Sequence, residues 1–124
     1  VVISLIKALF GRTGEQVGSQ EAVRRINAGA VLVDVREPNE FAAGHASQAL
    51  HLPLGRIRSE GSRAIDALGI PETTTEVLLV CQSGMRSRIA QRILSGDSRR
   101  RYTNVGGGMA AWSAAGFPIT RRKR

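Results

Sequence analysis

At 124 residues, with 42% hydrophobic and 23% charged side chains, the chain has the size and mix of one globular domain, which excludes a disordered or collagen-like polymer. Its 18 Lys and Arg against 10 Asp and Glu leave a net charge of +8, which favours anionic partners without naming one. A single cysteine, Cys81, excludes an internal disulfide and a cysteine-rich zinc site, and with only two histidines beside it no metal centre is expected.

Val1 to Phe10 is the most apolar stretch, but it is about half the roughly 18 to 20 residues a membrane span needs and is interrupted by Lys7. It lacks a charged segment before it and a small-residue cleavage site after it, so it does not read as a complete signal peptide. Packing on a protein surface is the expected use of this segment, and no membrane contact is anticipated. The free cysteine fits a reducing compartment, so the cytoplasm is the expected location. The expected organisation is an apolar and basic extension over 1–15, one domain over 16–119 and a basic tail over 120–124.

Along the chain, apolar runs alternate with helical periodicity, the pattern of an α/β sheet. Ser19 is placed to cap a helix over Gln20 to Ala28, with Ala22, Val23 and Ile26 on one face and Gly29 as the stop. Val31 to Val35 is short, nearly continuous and rich in β-branched residues, as a buried parallel strand requires. A short helix follows from Pro38 to Ala43, with proline in its first turn and Gly44 as its terminator. Ala49 to Leu52 is a weaker strand, and Gly61 to Leu68 a helix stopped by Gly69 and Pro71. Val77 to Cys81 is the clearest strand, followed by a helix over Arg86 to Leu94 with an apolar stripe of Ile89, Ala90, Ile93 and Leu94. Tyr102 to Val105 is the last strand, and Gly108 to Ala115 the last helix, anchored by Trp112. The expected fold class is α/β, with a small, mainly parallel five-stranded sheet and helices on both faces.

Cys81 ends the central strand immediately before a helix, where open α/β sheets bind ligands. The connection Gln82-Ser83-Gly84-Met85-Arg86-Ser87 must turn within a few residues. Gly84 permits a tight turn whose N–H groups converge as an anion nest, and the helix that follows adds its positive end. Such surroundings favour a thiolate, and Arg86 offers a planar guanidinium to an oxyanion. The plainer reading is a buried cysteine acting as a small hydrophobe. The glycine-bearing loop and its arginine favour the reactive one.

Three blocks, in order, carry a family pattern: Asp34-Val35-Arg36-Glu37-Pro38-Asn39-Glu40-Phe41-Ala42-Ala43-Gly44-His45, then Val77 to Ser87, then Asn104-Val105-Gly106-Gly107-Gly108-Met109-Ala110-Ala111-Trp112 with Ala115-Gly116-Phe117-Pro118. Over about Gln16 to Ile119 the chain resembles single-domain rhodanese-like sulfurtransferases. One departure is Gln48, which stands where the family commonly has glycine.

The resemblance implies a rhodanese-like fold and a thiosulfate sulfurtransferase activity. Cys81 would be the nucleophile, taking sulfane sulfur from thiosulfate or a persulfide donor and passing it to cyanide or a cellular thiol. Gln82, Ser83, Gly84, Met85, Arg86 and Ser87 would form the anion site, with Asp34, Arg36 and His45 supporting the loop. His45 is expected to pack against Asp34 or, less favoured, to donate a proton, and Glu40 to lie on the helix surface or brace the loop. No organic cofactor and no metal are implied. Partners would be a small sulfur-containing anion and a protein or thiol donor or acceptor.

Two other classes share the fold. A cysteine phosphatase needs its arginine at the sixth position after the cysteine, and here Arg86 is the fifth and Ser87 the sixth. A non-catalytic binding or sulfur-relay module would generally lack the cysteine. Arg99 to Arg101 and Arg121 to Arg124 come without aromatic interleaving, so they read as solvated charge rather than a nucleic-acid surface.

Overall fold

The computed structural model of the protein describes residues 14–123. Its strands are β1 (Gln16–Val17), β2 (Val31–Asp34), β3 (His45–Ala46), β4 (Leu50–His51), β5 (Glu76–Val80), β6 (Arg101–Val105) and β7 (Ile119–Thr120). Its helices are α1 (Ser19–Asn27), α2 (Pro38–Ala43), α3 (Leu54–Glu60), α4 (Ser62–Asp66), α5 (Met85–Leu94) and α6 (Gly108–Ala114).

Five strands form one sheet in the order β1-β6-β5-β2-β4, every pair parallel. Because side chains alternate across a strand, β2 and β5 feed two cores at once. Val33, Val77, Leu79 and Cys81 pack with Ile57, Ile65, Ala90 and Leu94 from α3, α4 and α5. Leu32, Leu78 and Val80 pack with Ala22, Phe41, Met109 and Trp112 from α1, α2 and α6. All five residues of β5 are buried, as a central strand covered on both faces must be. The α/β sheet with helices on both faces is therefore as the sequence predicts, and it is wholly parallel.

The boundaries shift in physically readable ways. α1 begins at Ser19 itself, with Gly18 in extended conformation as its cap residue. α2 matches its expected span; Glu37 and Glu40 close a reciprocal capping box over Pro38. The expected helix over Gly61 to Leu68 is shorter, and α3 precedes it unannounced. The α3 sequence holds Gly55 and buries only Leu54 and Ile57, too thin a stripe to show as helical periodicity.

The fifth strand is β1, only two residues long, and β3 pairs antiparallel with β7 in a separate small sheet. That pairing carries regular structure through Thr120, and Arg121 donates to the Ala43 carbonyl at 3.0 Å. The Ala46–Ala49 turn closes with a 2.9 Å backbone hydrogen bond, and no residue other than glycine adopts positive φ among the described residues. Gln48 therefore replaces a common glycine without backbone strain.

The apolar segment Val1 to Phe10, expected to pack on a protein surface, lies outside the described residues. No helix among those described is long and apolar enough to cross a membrane.

Within the basic run Arg99 to Arg101, the two outer arginines are exposed as expected and only Arg100 departs from the solvated reading. Arg99 pairs with Asp66 and Asp97, while Arg100 is buried and donates to the carbonyls of Thr74, Ile70 and Pro71. These arginines clasp the loops at the amino end of β5. Arg101 is exposed, 3.5 Å from Glu76.

Candidate active site

β5 ends at Val80, and its next residue, Cys81, is 1% exposed. The chain reverses through Gly84, whose φ of 106° a residue with a Cβ adopts only under strain. α5 starts at once from Met85. This tight path turns backbone donors onto the sulfur: the Gly84 N–H reaches Cys81 Sγ at 3.1 Å, and the Ser87 hydroxyl lies 3.4 Å from it.

Burial acts most strongly on this thiol and pushes its pKa up. Hydrogen bonds from the Ser87 hydroxyl and from the N–H groups of Ser87, Gly84 and Ser83 together outweigh it, and the net result is a lowered pKa. The thiolate is favoured by neutral dipoles rather than by a cation in contact with it.

The other loop residues divide by exposure. Gln82 and Ser83 are exposed, and Met85, at 76%, is the most exposed large hydrophobic among the described residues. Ser87 is wholly buried. Arg86, at the first turn of α5, is half-buried and makes a two-pronged ion pair with Glu40 of α2, Nη1 to Oε1 at 2.6 Å and Nη2 to Oε2 at 2.8 Å. That guanidinium holds the Glu40 carboxyl far below its usual range, at about 2, and Arg86 is correspondingly raised.

Asp34 and Arg36 sit at the end of the neighbouring strand β2 and are both buried. Arg36 spends Nε and Nη2 on the Asp34 carboxylate, with the shortest contact at 2.8 Å. It also donates to the Gly44 carbonyl at 2.8 Å and reaches Gln82 Oε1 at 3.4 Å. The pair thus touches the cysteine loop.

His45 does not pack on Asp34 as expected. It lies in β3, its Nδ1–H donates to the Phe41 carbonyl at 2.7 Å, and its ring stacks on Phe41 with centroids 3.6 Å apart. Its link to the loop is indirect, through Gly44 and Arg36.

Two residues from the third sequence block complete the loop. Asn104, buried in β6, shares the single Ser87 hydroxyl proton with Cys81 Sγ through its Oδ1, and donates to the Gly84 carbonyl at 3.2 Å and to Gln16 Oε1 at 2.9 Å. Gly108 opens α6 against the loop backbone. A Cβ there would lie 2.5 Å from the carbonyl carbon of Gln82 and 2.6 Å from its oxygen. That close approach lets the N–H groups of Met109 and Ala110 bind the carbonyls of Cys81 and Gln82 at 2.8 and 3.1 Å. The glycine triplet before Trp112 is the only sequence sign of this contact. Asn104 gives none beyond its place in the block. Among the described residues no group of three or more His, Cys, Asp or Glu side chains could hold a metal ion.

A converging amide loop thus surrounds the one cysteine, with arginine at the fifth position after it. The profile of the rhodanese-like domain matches residues 19–115. The chain belongs to the rhodanese-like domain family. A thiosulfate sulfurtransferase of Arabidopsis thaliana is 33% identical over 83% of the chain and 81% of its own length. An uncharacterized protein of Synechocystis is 37% identical over 90% of the chain, which spans only 55% of that relative. A rhodanese-related protein from Thermoplasma volcanium superposes with a TM-score of 0.72 over 87% of this chain and 99% of its own, at 21% identity, a likeness of fold. The rhodanese-like domain here carries its cysteine loop at the carboxyl edge of the sheet, with every expected loop residue brought to one turn.

Proposed function

We propose that the protein is a sulfurtransferase working through a persulfide on Cys81, with thiosulfate or a persulfide as donor. The observation that carries this reading is the ring of donors on Cys81 Sγ, from Gly84, Ser87 and Ser83, which lowers the thiol pKa while leaving the sulfur uncovered by any side-chain cation. Membership of a family that includes a relative named thiosulfate sulfurtransferase supports it.

With thiosulfate, the Cys81 thiolate attacks the outer sulfur. A sulfur–sulfur bond forms to Cys81, the bond to the sulfonate sulfur breaks, and sulfite leaves with that electron pair. The charge on the new terminal sulfur falls where the loop N–H groups converge. In the second half-reaction a thiophilic acceptor such as cyanide or a thiol attacks this outer sulfur and restores the Cys81 thiolate. Arg86 stands at the rim as the group for a leaving oxyanion, and Asp34 with Arg36 holds the loop from β2. A phosphatase reading is disfavoured by the position of Arg86, one residue nearer the cysteine than a phosphate cradle requires.

Intact-protein mass spectrometry tests the proposal. Thiosulfate should add about 32 Da, the mass of one sulfur atom, to the wild-type chain; cyanide should remove it, and Cys81→Ser should show neither change while keeping its thermal midpoint. A folded, reduced wild-type protein that gains no sulfur from thiosulfate or from a hydropersulfide sinks the mechanism.

A further inference from the structure

Two arginines belong to the surroundings of the cysteine loop, Arg86 within it and Arg36 reaching Gln82 from β2, and both already face a carboxylate. Arg36 is closed on Asp34 by Nε and Nη2, with its remaining donors turned to Gly44 and Gln82. Arg86 is closed on Glu40 through both terminal nitrogens, at 2.6 and 2.8 Å. These two cations and two carboxylates cancel, and the remaining arginines beside the loop, Arg88 and Arg92, line a separate cleft with Ser83, Gly84 and Met85. A +8 chain therefore presents no unmatched cation from this pair where its nucleophile sits.

Arg86 and Glu40 are only about a third exposed, and their contact is a planar fork on a planar carboxylate, the best geometry a guanidinium has for any oxyanion. A donor that ends in a sulfonate wants the same two N–H groups. It must displace Glu40, or share Arg86 with it and bring its own double negative charge beside a carboxylate. Like charges a few ångströms apart in a half-buried site are strongly unfavourable. Protonation gives no relief, because Glu40 stays ionised down to about pH 2.

Resting on the sulfur-transfer reading above, we infer that Glu40 is a specificity-determining residue: by occupying Arg86 it selects against dianionic donors such as thiosulfate and favours a hydropersulfide, R–S–S–H, on a carrier of low charge. With that donor the Cys81 thiolate attacks the terminal sulfur. The new sulfur–sulfur bond forms as the old one breaks, the thiolate R–S⁻ leaves with the electron pair, and the proton stays on the transferred sulfur. No sulfonate needs Arg86, and the charge leaving the site is one unit rather than two. Glu40 touches neither sulfur; it acts through Arg86.

The test compares single-turnover loading of Cys81 by thiosulfate and by the hydropersulfide of 2-mercaptoethanol, in wild type and Glu40→Gln. Glutamine keeps an oxygen acceptor for the Glu37 N–H, which Glu40 Oε1 binds at 3.0 Å, and so retains the α2 cap. The ratio of second-order loading rates, thiosulfate over hydropersulfide, should rise roughly ten-fold in Glu40→Gln, which corresponds to about 1.4 kcal/mol. The gain should appear as a lower half-saturating thiosulfate concentration rather than a faster plateau. Glu40→Asp, which keeps the charge, should return most of the wild-type ratio. If Glu40→Gln proves unstable, Glu40→Ala with the same readout takes its place. A ratio that stays level or falls overturns the inference and makes Glu40 a simple brace for Arg86. Failure of both donors to load any of these proteins overturns the sulfur-transfer reading instead.

Discussion

The two ends of β5 each hold an acidic side chain, and they surround it in opposite ways. At the amino end the Glu76 carboxylate meets charge and strong donors directly: Arg25 at 2.8 Å, the Thr103 hydroxyl at 2.7 Å and Arg101 at 3.5 Å. Past the carboxyl end, Cys81 meets backbone amides and a hydroxyl, while Arg36 and Arg86 are paired to carboxylates. A carboxylate that only ties strands together is well served by guanidinium groups that cover it. A sulfur that must attack needs stabilisation that leaves its lone pairs open, and N–H dipoles from a tight turn supply that. Glu76 and Cys81 are five positions apart, a clasp at one end of the strand and the proposed nucleophile past the other.

The contrast can be broken most severely at the carboxyl end. Gly108→Ala forces a Cβ into the carbonyls of Cys81 and Gln82 at a φ of 54°. Left-handed backbone strain and overpacking together should cost about 2 to 5 kcal/mol, and the displaced loop should lose sulfur loading as well. Denaturant unfolding alongside mass spectrometry checks both, and a variant of wild-type stability and rate would show that α6 does not brace the loop.

At the amino end, Glu76→Ala should cost about 1.5 to 3 kcal/mol, since hydrogen bonds to a charged group are lost. Its rate of persulfide formation, measured well below its melting range, should match wild type. A slowed rate would mean that the two ends are coupled.

The smallest change sharpens the comparison. Ser87→Ala removes one donor from Cys81 and leaves Asn104 Oδ1 without its hydroxyl partner, for about 1 kcal/mol of stability. Ser87 lowers the thiol pKa, so its loss raises it. The thiolate is the reactive form, and loading climbs as pH rises through that pKa. The climb in Ser87→Ala should therefore move to higher pH while the plateau persists. A profile superimposable on wild type would assign the lowered pKa to the amides alone.

The sequence patterns that proved readable are those with local physics behind them. Buried runs such as Val77 to Val80 mark parallel strands, Pro38 and Gly44 bracket α2, and the arginine five positions after Cys81 marks the loop. What escaped depends on contacts between distant residues. Glu40 and Arg86 are 46 positions apart, and Ser87 and Asn104 are 17 apart, so no spacing rule joins them. β1 is two residues long and has no periodicity to detect; β6 alone makes it a strand. Arg100 was misread because a basic run looks solvated until the carbonyls of a folded loop surround it. The expected partner of His45, Asp34 of β2, differs from the observed one, Phe41 of α2, because ring stacking on Phe41 follows from the turn at Gly44 and not from composition.

Asn104 joins both the loop and Gln16, 88 positions earlier, and the Cys81 carbonyl depends on Met109. During synthesis, then, the cysteine and the donors around its sulfur are made well before the groups that brace their loop arrive. Until β6 and the start of α6 are laid down beside β5, Asn104 does not hold the Gly84 carbonyl and Met109 does not hold that of Cys81, so the loop amides have no fixed direction toward the sulfur. The environment that lowers the thiol pKa is completed by the fold, and an incomplete or unfolded copy lacks it.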